Sequence, residues 1–153
     1  MPVKLSSRSE YGVRAMVELA SSYGKGPVSL REIASREQIP EKYLEQLFSQ
    51  LRKAKLISGT RGASGGYMLT REPHRISVGD VMRAVDGPIA VCNCTSEHMH
   101  EADCDKKEHC AAHPVWAKLQ DGIVSILDST TLSDLVVKQH SVQCSMDGGK
   151  GDE

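Results

Sequence analysis

The sequence predicts a mainly α-helical protein with one small β-hairpin, and three observations carry that expectation. Apolar residues recur at spacings of three and four through the first 54 residues, a glycine-rich stretch between two short apolar runs follows, and a long helical pattern starts again at His113-Pro114. Between the two helical parts, Cys92-x-Cys94, Cys104-x5-Cys110 and then x2-His113 crowd four cysteines and a histidine together. The 153 residues, 39% apolar with one Trp and one Phe, suffice for one core with appended elements.

Each element has its own signal. Tyr11, Val13, Ala15, Met16, Leu19 and Ala20 mark a first amphipathic helix that starts near Ser6 or Ser7 and ends before Gly24-Lys-Gly-Pro27. Ser29 with Glu32 three residues on is a capping-box pattern for a short second helix to Glu37. Gln38-Ile39-Pro40 reads as a turn, and a third helix is expected from about Glu41 to Ala54. In it Tyr43, Leu44, Leu47, Phe48 and Leu51 form an apolar stripe, which leaves Lys42, Glu45, Gln46, Ser49, Gln50, Arg52 and Lys53 on other faces. Two helices joined by a tight turn, the second rich in Gln, Ser and basic residues, form a helix-turn-helix pattern.

Leu56-Ile57-Ser58 and Tyr67-Met68-Leu69-Thr70 predict two strands around the tip Gly59 to Gly66, a hairpin wing. A phosphate-binding loop is excluded, because no Lys-Ser/Thr pair closes the glycine run and a strand follows where a helix is required. Arg61 at the tip suits a minor groove or a phosphate. Ile76 to Pro88 reads as a short helix capped by Ser77 and stopped by Gly87-Pro88. The helix from His113-Pro114 to about Ser129 carries Trp116, Leu119, Ile123, Ile126 and Leu127 in a stripe with little partner left in a chain of this size, so a dimer interface is expected. A short helix at Thr131 to Val137 and a disordered polar tail complete the expectation.

The fold class expected is therefore mainly α with a β-hairpin wing: a winged helix-turn-helix at 1–75, a connecting helix at 76–90, a cysteine-rich loop at 91–113, a long C-terminal dimerisation helix with a short terminal one at 114–137, and a tail at 138–153. Charge divides along the same line. Residues 1–75 hold 13 Lys/Arg against 7 Asp/Glu, a balance of +6, and residues 76–153 hold 6 against 13, a balance of −7. The basic half can neutralise phosphates, and the acidic half is repelled by them and is left for sensing or assembly. No apolar run approaches the ~18 residues of a membrane span, and the opening MPVKLSSRSEYG lacks the apolar stretch of a signal peptide, so no membrane partner and a cytoplasmic location are expected. Thiols stay reduced there, which points clustered cysteines to metal binding or redox sensing rather than a disulfide framework.

Taken together, Lys4-Leu5-Ser6-Ser7, Glu10 to Ala15, Tyr43 to Lys53, Arg61-Gly-Ala-Ser-Gly-Gly-Tyr67, Ile76 to Val81, Cys104-x5-Cys110-x2-His113-x2-Trp116 and Leu127 to Val136 resemble the IscR and NsrR type of winged-helix regulators over about residues 4–137. The resemblance implies a homodimer on a pseudo-palindromic DNA operator. Tyr43, Glu45 and Gln46 would lie near bases or backbone and Arg61 in the neighbouring minor groove, with Ser6, Arg8, Arg52 and Ser64 as further candidate DNA contacts. Chemistry agrees for two of them: Gln pairs bidentately with adenine and Glu accepts from cytosine.

The resemblance also implies an iron-sulfur cluster. Cys104, Cys110 and His113 match the IscR ligand positions, and the remaining position falls to Cys92 or Cys94. Three thiolates and an imidazole suit a 2Fe-2S cluster, the favoured reading. Glu10 stands where NsrR-like members use a carboxylate of the partner subunit, so three cysteines with Glu10 around a 4Fe-4S cluster is the rival; His98, His100 and His109 add further ligand types. A structural zinc site of three Cys and one His, and a metal-free thiol switch, stay open as alternatives, although the CxC and x9 spacings do not suit a compact zinc knuckle. Catalysis is not expected: His113 precedes a proline at a helix start, no oxyanion-hole turn is evident, and acidic surroundings raise a thiol pKa.

Overall fold

In the structure, a computed structural model that describes residues 4–97 and 106–147, the helices and strands follow in the order α1 (Ser7–Ser21), α2 (Leu30–Glu37), α3 (Glu41–Lys53), β1 (Ile57–Thr60), β2 (Gly66–Leu69), α4 (Val78–Asp86), α5 (His113–Ser129) and α6 (Leu132–Asp147). The helix starts are set by side-chain caps. Ser6 Oγ accepts from Ser9 N–H at 3.0 Å and Ser29 Oγ from Glu32 N–H at 3.1 Å. Glu32 instead reaches forward to Arg36 at 2.5 Å, and the reciprocal capping box is found at Ser77 and Asp80, with both bonds 3.0 Å.

The turn between α2 and α3 closes through Gln38, which adopts the left-handed conformation at φ 54° and ψ 41°, while Ile39 N–H donates to Ala34 O at 3.0 Å. Pro40 then opens α3 with no donor to satisfy. β1 and β2 pair antiparallel from Ile57 with Leu69 to Thr60 with Gly66. Val28 adds a bridge to this hairpin, donating to Tyr67 O at 3.0 Å and accepting from Tyr67 N–H at 2.8 Å, so the wing is tied to the chain entering α2. Gly66 is required there, because a Cβ would run into the Val28 carbonyl.

One core joins these pieces. Met16 of α1, Ile33 of α2, Leu44, Leu47, Phe48 and Leu51 of α3, Ile57 of β1, Val81 of α4 and Leu132 of α6 are almost wholly buried in it. α4 lies on α1, where Gly12 leaves room for the Val85 methyls, and it also touches α3 and α5.

The C-terminal expectation needs correction. The last helix does not stop at Val137 but continues to Asp147; the expected disorder of residues 148–153 falls outside the described residues. The physical reason is that α6 packs back on the DNA-binding half. Val78 N–H donates to Thr130 O and Leu132 N–H to Ile76 O, both at 2.9 Å. Leu132 is buried, Val136 packs against the core, and one turn on Gln139 Nε2 donates to the buried Glu18 of α1 at 3.3 Å. Among the described residues, no helix is long and apolar enough to cross a membrane.

Candidate nucleic-acid interface and cysteine centre

α3 buries Leu44, Leu47, Phe48 and Leu51 and turns Lys42, Glu45, Gln46, Arg52 and Lys53 to solvent. The 3.6-residue period does this without further help: residues three and four apart share a face, and the opposite face is left for a ligand. Tyr43 is half-buried, its ring edge-on to Tyr11 with centroids 5.8 Å apart, so it braces α3 against α1 as well as bordering the exposed face. At the wing tip Arg61 and Ser64 are exposed, and Gly62 takes a positive φ of 115° to turn the loop beneath them. Arg8 is exposed on the first turn of α1. Ser6 is exposed too, but its hydroxyl is occupied: it caps α1 and donates to Asp86 of α4.

The cysteine loop begins as a clamped segment. After α4, Gln120 of α5 grips the chain from below, with Nε2 donating to Ile89 O at 2.7 Å and Oε1 accepting from Val91 N–H at 2.8 Å. It is only 6% exposed, a buried amide with both ends used. From the other side Glu97 accepts from Ile89 N–H at 2.8 Å and pairs with Arg83 of α4 at 2.5 Å, while Arg83 reaches Asp128 near the end of α5 at 2.7 Å. Glu97 first, then Asp128, hold the guanidinium proton more tightly than usual. α4, the loop and α5 are thereby joined at one arginine.

Directly after this clamp, Cys92 and Cys94 sit with their Sγ atoms 3.3 Å apart on a short turn, Asn93–Thr95, that rests against α5. The Thr95 hydroxyl and then the Cys94 thiol hold the Cys92 thiol below its ordinary range. Cys92 also lines, with Trp116 and Leu119 of α5 and Leu5, a mainly apolar cavity of about 580 Å³. On the far limb Cys110 precedes α5 and its carbonyl accepts from His113 N–H at 3.2 Å. His113 Nε2 is buried with no hydrogen-bond partner among the described residues.

The structure thus brings Cys92 and Cys94 together and places Cys110 and His113 at the start of the helix on which they rest. Cys104, His98 and His100 lie outside the described residues, and the described donors alone make no group of three that could hold a metal. Glu10 is exposed on α1 and belongs to no such group among the described residues. Sequence reasoning missed Arg83, Glu97 and Gln120. Gln120 carried a legible signal, a polar residue next to Leu119 and three before Ile123 on an otherwise apolar stripe; Glu97 carried none, since Arg83 and Ile89 lie 14 and 8 residues before it, outside any helical or strand spacing. Of the apolar stripe expected on α5, Trp116, Leu119 and Ile126 face solvent, Ile126 by 66%, whereas Ile123 and Leu127 are half-buried; Val115 is exposed beside them.

A helix-turn-helix with an exposed polar face, beside an arginine-tipped hairpin, defines a winged-helix DNA-binding regulator. The chain belongs to the Rrf2 family, whose description is iron-dependent transcriptional regulator and whose match spans residues 5–138. It is 41% identical over 133 residues to the HTH-type transcriptional regulator CymR of Bacillus subtilis (strain 168), covering 87% of this chain and 89% of that one. The solved structure of CymR, the global cysteine regulator of B. subtilis, superposes with a TM-score of 0.72 at 39% identity, over 90% of this chain and 98% of that one. T. potens IscR superposes with a TM-score of 0.71 at 37% identity, over the whole of this chain and 96% of that one. The relatives are transcriptional regulators rather than enzymes.

Proposed function

We propose that this Rrf2 regulator is a cytoplasmic homodimer that binds a pseudo-palindromic operator under the control of an iron-sulfur cluster in the 92–113 loop. The observation that carries the reading is His113 Nε2, a buried imidazole nitrogen without a hydrogen-bond partner among the described residues: such a nitrogen costs free energy unless something completes it, and His113 sits three residues from Cys110. The donor set fits the group. Cys110, Cys104 and one of Cys92 and Cys94 would supply thiolates and His113 the imidazole of a 2Fe-2S cluster, with a 4Fe-4S cluster completed by Glu10 of a partner subunit as the rival. When bound, the cluster supplies an iron centre sensitive to oxidants, iron supply or nitric oxide, because imidazole and carboxylate ligands are exchanged more readily than thiolates.

The chain's own residues give such a loop a route to DNA. Engaged donors hold both limbs of the loop on α5, the helix proposed to dimerise. Gln120 fixes the limb before Cys92, and Arg83 passes the position of Glu97 to α4, which packs on α1 and α3. The spacing of two recognition helices then follows loop order, with a coupling on the order of 1–3 kcal/mol. On DNA, Gln46 and Glu45 would read bases, Arg61 would enter the minor groove, and Tyr43, Arg8, Arg52, Ser64 and Ser6 would border the backbone.

An anaerobic ultraviolet-visible spectrum with iron, sulfide and zinc analysis tests this, repeated for Glu10→Ala and His113→Ala. Visible absorption with equal iron and sulfide, bleached by one of the two substitutions, is the expected result. A second reading, cysteine-based control without a metal, is favoured by the likeness to a global cysteine regulator. A colourless, zinc-free protein would support it, and stoichiometric zinc would make the site structural.

A further inference from the structure

We propose that Cys92 and Cys94 form a redox-active dithiol, closed to a disulfide by a low-molecular-weight disulfide when the loop holds no cluster. The two sulfurs lie 3.3 Å apart, within the ~3–3.5 Å of a near-attack arrangement, and a bond requires them to close to about 2.05 Å. This approach is built into the backbone. Cys92 is extended, the turn Asn93–Thr95 curls back on it, and Thr95 N–H donates to Cys92 O at 3.1 Å. The Thr95 hydroxyl adds a bond to the same carbonyl at 3.2 Å and lies 3.5 Å from Cys92 Sγ. Upstream, Gln120 and Glu97 fix Ile89 and Val91 through 2.7–2.8 Å bonds, which anchors the limb that carries the pair. Both thiols are half-buried rather than sealed, which leaves them open to a small reagent.

With the proposed cluster in the loop, Cys104, Cys110 and His113 leave one ligand position for two thiols, Cys92 and Cys94. The thiol geometry itself is independent of that reading.

One thiolate of the pair attacks a sulfur of the external disulfide, forming a mixed disulfide and expelling one thiolate of the reagent. The second thiol loses its proton to solvent and attacks the protein sulfur of the mixed disulfide, forming the Cys92–Cys94 bond and expelling the other reagent thiolate. Two protein thiols are oxidised and one external disulfide is reduced to two thiols. While the bond persists, neither sulfur can serve as a ligand, so cluster rebuilding has to wait for reduction.

The full-length protein, stripped of iron by a chelator under anaerobic conditions, reduced and desalted, would be exposed to glutathione disulfide. Remaining thiols would be alkylated and the chain cut with a glutamyl endopeptidase, whose sites after Glu97 and Glu101 separate Cys92 and Cys94 from Cys104 and Cys110. The expected product is a peptide holding both Cys92 and Cys94 that has lost two hydrogens and resists alkylation. Cys94→Ser should stop at a glutathione adduct on Cys92, and Cys92→Ser at one on Cys94. Bonds joining Cys92 or Cys94 to Cys104, Cys110 or Cys144, or both thiols remaining open to alkylation, would overturn the proposal. Iron and sulfide analysis before stripping reports separately on the cluster, so loss of one idea is distinguishable from loss of the other.

Discussion

Replacing Gln120 by Leu removes the clamp on the limb before Cys92 while keeping most of the side-chain volume. The amide makes two bonds, 2.7 Å to Ile89 O and 2.8 Å to Val91 N–H, from a side chain that is 6% exposed. Ile89 is buried, so its carbonyl loses its acceptor role at a cost of about 1–3 kcal/mol. Val91 is half-buried and its N–H can partly rehydrate, which adds about 1 kcal/mol. Leucine recovers part of this by burying apolar surface, leaving about 2 kcal/mol. At ~1.4 kcal/mol per factor of ten, local opening of residues 89–91 becomes roughly 30-fold more frequent. Amide hydrogen exchange reads this directly: Val91 N–H should exchange roughly 30-fold faster in Gln120→Leu, with amides of the α3 core unchanged. Gln120→Glu keeps an acceptor for Val91 but sets a carboxylate against the Ile89 carbonyl, and should also lose protection. Unchanged exchange at Val91 in both variants would refute the idea that this amide positions the loop.

Two further outcomes follow from the geometry. Arg61 is exposed at the wing tip and its side chain makes no hydrogen bond or ion pair among the described residues, so Arg61→Ala should leave the melting temperature unchanged, weaken operator binding about tenfold and lower the salt slope by about 1; fluorescence anisotropy across a salt series checks it. Asp134 caps α6, accepting from Thr131 N–H at 2.9 Å and from its hydroxyl at 2.8 Å, and the backbone bond first, then the hydroxyl, holds its carboxyl below the usual range. A depressed folded pKa gives stability that is present above the unfolded value and lost as pH falls through the folded one. The melting temperature of the wild type should therefore exceed that of Asp134→Asn near neutrality, and the gap should close as pH drops below the carboxylate range.

What was legible in the sequence was what depends on local periodicity. The α3 stripe, the wing, the start of α1 near Ser6 and the Ser29 and Ser77 caps follow from residues a few positions apart, and they lie where expected. The Val28 bridge to Tyr67, the Arg83 joint and the return of α6 onto Glu18 depend on pairings across long stretches of chain, which spacing does not encode. Ser77 and Asp80 show the limit well. Ser29 with Glu32 carried the more familiar capping-box signature, yet the free energy of Glu32 is better served by Arg36 one turn on, and the box forms at the aspartate instead. At the cysteine centre, the residue types were legible and the 3.3 Å approach of Cys92 and Cys94 was not, because it is made by a turn and a clamp rather than by spacing.

In the proposed mechanism the state of the cysteine loop sets affinity for DNA. The most direct test is operator affinity at one fixed salt concentration for cluster-loaded and cluster-free protein, on a duplex selected from a randomised pool separately by each form. The two forms should differ by roughly 5- to 150-fold on at least one selected duplex, the span of a 1–3 kcal/mol coupling; equal affinities on every selected duplex would show that the loop does not control DNA binding.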